Sequence, residues 1–168
     1  LISGNTNIAI YFQGTGASGN TVQGKFIGTD VTGTKALGNG LYGLQLFSGP
    51  VGNVIGGTSP AQRNVISASG SSGVTIFGVD TVNNRVEGNF IGTDITGTNA
   101  LGNDEDGVFT YGEARNNTIG GTAPGARNII SGNGRFGRPN DGRSGIEIWS
   151  RASANVVQGN FIGTDVTG

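Results

Sequence analysis

The chain contains 168 residues, of which 34 are glycine; 34% of the residues are hydrophobic and only 12% are charged. Its net charge of −1 provides no basic face that could neutralise a phosphate backbone, so we expect no nucleic-acid partner. No apolar run approaches the roughly 18 residues of a membrane-spanning helix, so we expect no membrane span. The regular spacing of Val, Ile, Leu and Phe favours many short strands separated by tight turns over disorder.

Two related units alternate along the chain. The first, GKFIGTDVTGTKALGN from Gly24, returns as GNFIGTDITGTNALGN from Gly88 and as GNFIGTDVTG from Gly159, at periods of 64 and 71 residues. Between these copies lies a second unit, NVIGGTSPAQRNVIS from Asn53 and NTIGGTAPGARNIIS from Asn117. We term the two kinds of unit A turns and B turns. The repeats predict that residues 1–168 form a single segment of a longer repeat protein.

Each turn contains three short segments that we predict to be its first, second and third strands. The first strand begins after an Asn, and the second contains an Ile in every turn: Ile2, Ile27, Ile66, Ile91, Ile130 and Ile162. The third has two core positions: Ile8 and Ile10, Leu44 and Leu46, Val74 and Ile76, Val108 and Thr110, Ile146 and Ile148. Because insertions fall only between these segments, the pattern predicts an all-β parallel β-helix of about five rungs of three short strands, stacked about 4.8 Å apart.

Asparagine recurs in register with these strands. Stacked Asn side chains can hydrogen-bond to one another and to turn backbone that would otherwise be unpaired, so we predict two structural Asn ladders. The ladder before the first strand comprises Asn20, Asn53, Asn84, Asn117 and Asn155. The ladder before the second strand comprises Asn64, Asn89, Asn128 and Asn160, with Lys25 in the remaining turn.

The motifs GNFIGTDxTGTxALGN and NxIGGTxxGARNxIS resemble the repeats of large bacterial surface or secreted proteins with pectate-lyase-like β-helices. The resemblance covers essentially the whole chain. It implies a right-handed coil and an extracellular or cell-surface location. That superfamily contains lyases, hydrolases, epimerases, tailspikes and adhesins, so the fold alone does not select a function.

The residues favour no catalytic centre. Histidine is absent, and the outward column of the first strand carries one acid only: Gln23, Gly56, Glu87, Gly120 and Gln158. The repeated Asp30, Asp94 and Asp165 occur only in A turns, so they lie about 10 Å apart along the axis, and we expect them to cap local backbone amides. We therefore expect no catalytic residue, no metal site and no cofactor.

Aromatic residues follow the core positions of the third strand in every turn. In–out alternation places them on the outer surface, where the row can stack on sugar faces or dock a partner, or can serve as a packing ladder shielded by loops. The row comprises Tyr11, Phe47, Phe77, Tyr111 and Trp149.

A second outward row precedes the loops of the second strand: Phe26, Val65, Phe90, Ile129 and Phe161. The A-turn loops carry Ala36 with Leu37 and Ala100 with Leu101. We expect these apolar pairs to fold back over Phe26 and Phe90 and to remove them from water.

Opposite charges meet at the corner between the second and third strands of two adjacent turns. The acids are Asp104, Glu105 and Asp106, and the bases Arg135, Arg138 and Arg143 belong to an insertion in the following turn. These side chains form ion pairs between loops, or together with Tyr111 and Trp149 they line a pocket for a charged glycan.

The regular repeats and the lack of an acid–base constellation favour a non-catalytic structural or adhesive segment of a large extracellular protein that grips polysaccharide along the aromatic row. The alternative is a fragment of a polysaccharide lyase or epimerase whose catalytic turns lie elsewhere. Because neither end shows a capping element, we also expect end-to-end self-association.

Overall fold

The chain folds as a β-solenoid in the computed structural model, which describes residues 1–135 and 143–168. Three parallel sheets, each of five strands, run along one axis, with two single-turn 3-10 helices at Pro60–Gln62 and Pro124–Ala126. Within this described part, no helix is long and apolar enough to cross a membrane. The all-β parallel solenoid predicted from the repeats is confirmed.

Every turn contributes one strand to each sheet. Sheet one contains β2 (Thr21–Val22), β5 (Val54–Gly56), β8 (Arg85–Glu87), β11 (Thr118–Gly120) and β14 (Val156–Gln158). Sheet two contains β3 (Phe26–Ile27), β6 (Val65–Ile66), β9 (Phe90–Ile91), β12 (Ile129–Ile130) and β15 (Phe161–Ile162). Sheet three contains β1 (Ile10–Gln13), β4 (Leu44–Phe47), β7 (Val74–Phe77), β10 (Val108–Tyr111) and β13 (Ile146–Ile148).

The predicted isoleucine column forms the centre of the core. Ile27, Ile66, Ile91 and Ile130 are neighbours in register in sheet two, and none of them has exposed surface. Ile2 extends the column at one end and Ile162 at the other. Burying such a side chain contributes about 1.5–3 kcal/mol, so the column is a large share of the stability that each added turn provides.

The first pair of core positions in sheet three differs from the prediction. Ile10 pairs with Leu44 and Phe12 pairs with Leu46, so the pair Ile8 and Ile10 was wrong by two residues. A shift of two residues preserves in–out alternation, and the sequence pattern therefore cannot detect it. The register is fixed upstream, where the Asn5 side chain donates to the Asn39 Oδ1 at 2.8 Å, because equal lengths of chain lead from these two Asn residues into β1 and β4.

The Asn column before sheet one forms a continuous hydrogen-bonded ladder. In each step the backbone N–H and the side-chain Nδ2 donate to the Oδ1 of the Asn in the next turn, at 2.8–3.1 Å. The three interior members have no exposed surface. The ladder comprises Asn20, Asn53, Asn84, Asn117 and Asn155.

The column before sheet two forms a second ladder of the same kind, with N···O distances of 2.9–3.3 Å. It begins at the backbone N–H of Lys25, which donates to Asn64. Each interior Nδ2 also donates to a carbonyl of sheet one; that of Asn89, for example, reaches the Ile55 oxygen at 2.8 Å. The members are Asn64, Asn89, Asn128 and Asn160.

A third Asn column, which the sequence analysis missed, lies before sheet three. Asn5 bonds to Asn39, and Asn103 bonds to Asn133 at 2.8 Å. Ser69 occupies the turn between these pairs; its backbone N–H donates to Asn103 at 3.0 Å, but its short side chain does not extend the ladder. The copies of Asn at the end of ALGN, at Asn39 and Asn103, are the signal that could have revealed it.

The ladders predict that replacing an Asn by Ala destabilises the protein more in the buried middle of a ladder than at its exposed end. Asn84→Ala removes an acceptor used by Asn53 and leaves the Asn117 Oδ1 and the Pro50 carbonyl without their side-chain donor in a buried site, so we expect a loss of about 3 kcal/mol. Asn20→Ala, at the exposed end of the same ladder, should cost less than about 1 kcal/mol. Urea unfolding followed by circular dichroism measures both, and equal losses would contradict this account.

Candidate functional site

The aromatic residues of sheet three lie on its outer face because its strands alternate in and out. Leu44 and Leu46 belong to the core, whereas Phe47 points outward and is half-buried. Phe47, Phe77 and Tyr111 occupy one column in register. Their ring centroids are 5.0 Å and 4.1 Å apart, and Phe77 and Tyr111 are stacked at an interplanar angle of 13°.

The Tyr11 end of the row departs from the predicted single column. Tyr11 pairs with Gln45 in the adjacent column, and Gln13 takes the position beside Phe47, as the register of β1 requires. The Tyr11 ring still approaches Phe47, with 6.1 Å between centroids. The prediction that Tyr11 continues the Phe47 column is thus wrong, although its ring remains beside that column.

Phe109 is a member of the row that the sequence analysis missed. It faces outward on β10, two residues before Tyr111, and pairs with Glu147 of the next turn. Its ring stacks on that of Tyr111 with a centroid distance of 4.3 Å. On its other side the Trp149 ring lies 6.5 Å away. Phe109 therefore connects Trp149 to the other rings, and we term the whole set the aromatic ribbon: Tyr11, Phe47, Phe77, Tyr111, Phe109 and Trp149.

Exposure differs along the aromatic ribbon. Tyr11 is 45% exposed and Trp149 is 62% exposed, whereas the rings between them are half-buried. Burial raises the pKa of Tyr111 to about 12, and a hydrogen bond with the Tyr42 hydroxyl adds to this shift. The centre of the ribbon thus packs as a ladder, and its two ends offer ring surface to a sugar face or a partner.

The charged corner beside the ribbon consists of contacts between adjacent turns. Arg135 pairs with Asp104 at 3.1 Å, and Arg143 pairs with Glu105 at 3.7 Å. Arg143 also donates to the Asp104 carbonyl oxygen at 2.8 Å, and the Ser71 hydroxyl donates to Glu105. These acids and bases are thus brought together by the stacking of two turns, whereas the predicted Arg138 lies outside the described residues.

Asp106 is the buried acid of this corner. Its Oδ1 accepts a hydrogen bond from the Ser144 backbone at 2.7 Å, and its side chain is almost fully enclosed. Burial raises its pKa, and the nearby Glu105 raises it further. Burial also raises the pKa of Glu147, with contributions from Asp106 and Glu105, so acids of elevated pKa lie where the corner meets the ribbon.

The repeated aspartates of the A turns organise their own loops. Asp30 accepts hydrogen bonds from the Thr32 hydroxyl at 2.8 Å and from the backbone of Thr34 and Lys35, and these bonds hold its pKa below the usual value. Asp94 and Asp165 make equivalent contacts. In the described ranges, no group of three or more acids is arranged to hold a metal ion.

The outward row of sheet two is covered, but not by the predicted residues. Ala36 and Ala100 form antiparallel bridges with the start of their own loops, and Leu37 is 49% exposed. The cover comes from the loop tips instead: a Cβ on Gly33 would lie 3.4 Å from the Phe26 ring and 2.9 Å from the Cβ of Ile95 in the next A turn. The aspartate hydrogen bonds fold each loop so that its tip, and not its Ala–Leu pair, reaches the sheet.

Comparison with known proteins gives no relative: no family model matches the chain, and neither the curated proteins nor the solved structures contain a match. The geometry itself defines the class, which is a parallel β-solenoid repeat protein.

The raised pKa of Asp106 predicts that the parent protein and an Asp106→Asn variant differ in stability by an amount that depends on pH. Because its pKa is raised in the folded state, the folded protein favours the protonated acid, and the stability that this provides is lost as pH rises through the folded pKa. Asp106→Asn keeps an acceptor for Ser144 and cannot ionise, so the variant should gain stability over the parent between about pH 4 and pH 8.

Calorimetric Tm values across that range measure the effect, with Asp80→Asn as the control because the Asp80–Arg115 pair is exposed and contributes less than about 1 kcal/mol. If the Tm advantage of Asp106→Asn over the parent shrinks as pH rises, the raised pKa of Asp106 is contradicted.

Proposed function

We propose that this chain is a non-catalytic structural segment of a large extracellular or cell-surface protein, and that it binds polysaccharide at the Trp149 end of the aromatic ribbon. The observation that carries the proposal is the pairing of a 62%-exposed Trp149 with the stacked Phe109 and Tyr111 rings behind it. Sugar rings present apolar C–H faces that stack on such surfaces. The extracellular location and the large parent protein are inferred from the resemblance of the repeats to those of bacterial surface or secreted proteins.

The structural part of the proposal is supported by the two continuous Asn ladders. They connect every turn to the next through buried side-chain hydrogen bonds, so the axis resists bending and twisting between turns. A rigid rod with a periodic outer surface suits a stalk or an adhesive surface, because ligand contacts keep a fixed spacing along its length.

The binding part of the proposal is supported by the polar groups that flank Trp149. Glu147 lies in the column beside it and Arg143 lies at the adjacent corner, where it is exposed. Aromatic stacking with a few placed polar groups is the usual composition of a site for a polar ligand that also has apolar faces. Glu105 and Asp106 are engaged by Ser71 and Ser144, which is why we assign the corner to recognition and not to catalysis.

A glycan-array screen tests the proposal. We expect the parent chain to bind a subset of glycans and Trp149→Ala to weaken binding about tenfold, since aromatic stacking contributes about 0.5–1.5 kcal/mol beyond area burial. Val31→Ala is the matched control, because it removes a 74%-exposed apolar side chain from a loop beside sheet two. No glycan bound by the parent, or unchanged binding by a folded Trp149→Ala variant, would contradict the proposal.

A further inference from the structure

A second surface has the form of a binding groove, and it lies on sheet two, whereas the aromatic ribbon lies on sheet three. It has a volume of about 370 Å³ and runs along the outside of sheet two. The A-turn loop residues Ile95 and Val166 line one side and Pro124 of the B turn lines the other, above a floor that includes Ile129. The groove therefore lies between the A-turn loops and the B-turn segment that contains the 3-10 helix Pro124–Ala126.

Two arginines from equivalent positions of the B turns line this groove. The Arg63 Nε donates to the Gly88 carbonyl at 3.3 Å, and its guanidinium lies over the Phe90 ring, 4.2 Å from the centroid. Arg127 repeats the arrangement, with a 3.0 Å bond to Gly159 and a 3.9 Å contact with the Phe161 ring. Each guanidinium is therefore held in one orientation by the hydrogen bond of its Nε–H and by its contact with the face of a phenylalanine ring.

Within the part of the chain that the structure describes, neither arginine has an acidic partner. The ion pairs of residues 1–135 and 143–168 involve the other described arginines, and none includes Arg63 or Arg127. Burial lowers the pKa of Arg63, which is the effect expected of a partly desolvated cation without a counter-charge. A bound anion would supply that charge, and the two terminal nitrogens of a fixed guanidinium fit a carboxylate or sulfate through paired hydrogen bonds.

The spacing of the two cations is set by the solenoid. Strands β6, β9 and β12 are successive neighbours, so equivalent points of the two B turns lie two strand spacings, or about 10 Å, apart along the axis. The partly exposed apolar side chains of Ile95 and Val166 form a wall along the groove. Two fixed cations about 10 Å apart beside an apolar wall match a linear polymer that carries anionic groups at a similar separation and has apolar faces between them.

We infer that this groove binds an anionic polysaccharide, with Arg63 and Arg127 each contacting a carboxylate or sulfate group of the same chain. The site goes beyond the proposed function, because it lies on a different sheet and uses charge where the aromatic ribbon uses stacking.

Affinity electrophoresis in gels containing alginate or dextran sulfate tests the inference, with neutral dextran as the blank. We expect retardation in at least one anionic gel, weakening as salt rises, and a loss of tenfold or more in affinity for Arg63→Met/Arg127→Met. Methionine still covers Phe90 and Phe161, so the Tm should change little. Alginate against dextran sulfate distinguishes carboxylate from sulfate as the group recognised.

The matched control is Arg85→Met/Arg151→Met, which removes the same charge from two arginines that already have acidic partners. It should retain binding, as should Trp149→Ala, whose loss of glycan binding would concern the aromatic ribbon alone. If the groove double variant does not fold, Arg127→Met alone gives the readout, because Arg127 is exposed.

Absence of retardation in both anionic gels, equal losses in the groove and control variants, or equal binding of poly-L-glutamate with the same arginine dependence would overturn the inference.

Discussion

The structure depends on the hydrogen bonds by which each buried asparagine side chain joins its turn to the next. The strands are only two to four residues long, so a large share of the backbone lies at corners, where no sheet partner is available. Buried backbone groups that remain unpaired would cost about 1–3 kcal/mol each. The Asn amide removes this cost at both corners of sheet one, because its oxygen accepts from the preceding turn and its nitrogen donates onward and to a carbonyl.

Because the ladders fix the corners, the side chains on the outer surface also recur at regular spacing. Strands held in register place Phe47, Phe77 and Tyr111 in contact on one face, and they hold the two B-turn arginines two strand spacings apart on another. The alternation of A and B turns adds a groove, because the long loops of the A turns stand beside the shorter B-turn segment at Pro124 and Gly125. A scaffold with stacked rings on one sheet and an arginine-lined groove on another underlies both proposals.

The sequence predicted the features that repeat in every turn and missed those that depend on a single loop. The six-isoleucine column and the first Asn column recur at each turn, and the second Asn column recurs in every turn except that of Lys25, so periodicity reveals all three. The register of β1 was wrong because a shift of two residues keeps every side chain on its own face. Phe109 was missed because its column holds Gln45, Thr75 and Glu147 in three other turns, and the second ring of that column, Tyr11, was assigned to the Phe47 column. The loop tips that cover Phe26 and Phe90 follow from aspartate hydrogen bonds that no apolar pattern records.

Backbone amide hydrogen exchange tests the central role of the ladders most directly. The backbone N–H groups of Asn84 and Asn89 lie at corners outside the strands, yet each donates to a buried Asn oxygen, at 3.0 Å and 2.9 Å. The account predicts that these two amides exchange as slowly as the strand amide of Val86. Exchange at the rate of an exposed loop amide such as that of Val31 would show that the corners open freely, and would contradict the claim that the ladders hold the turns together.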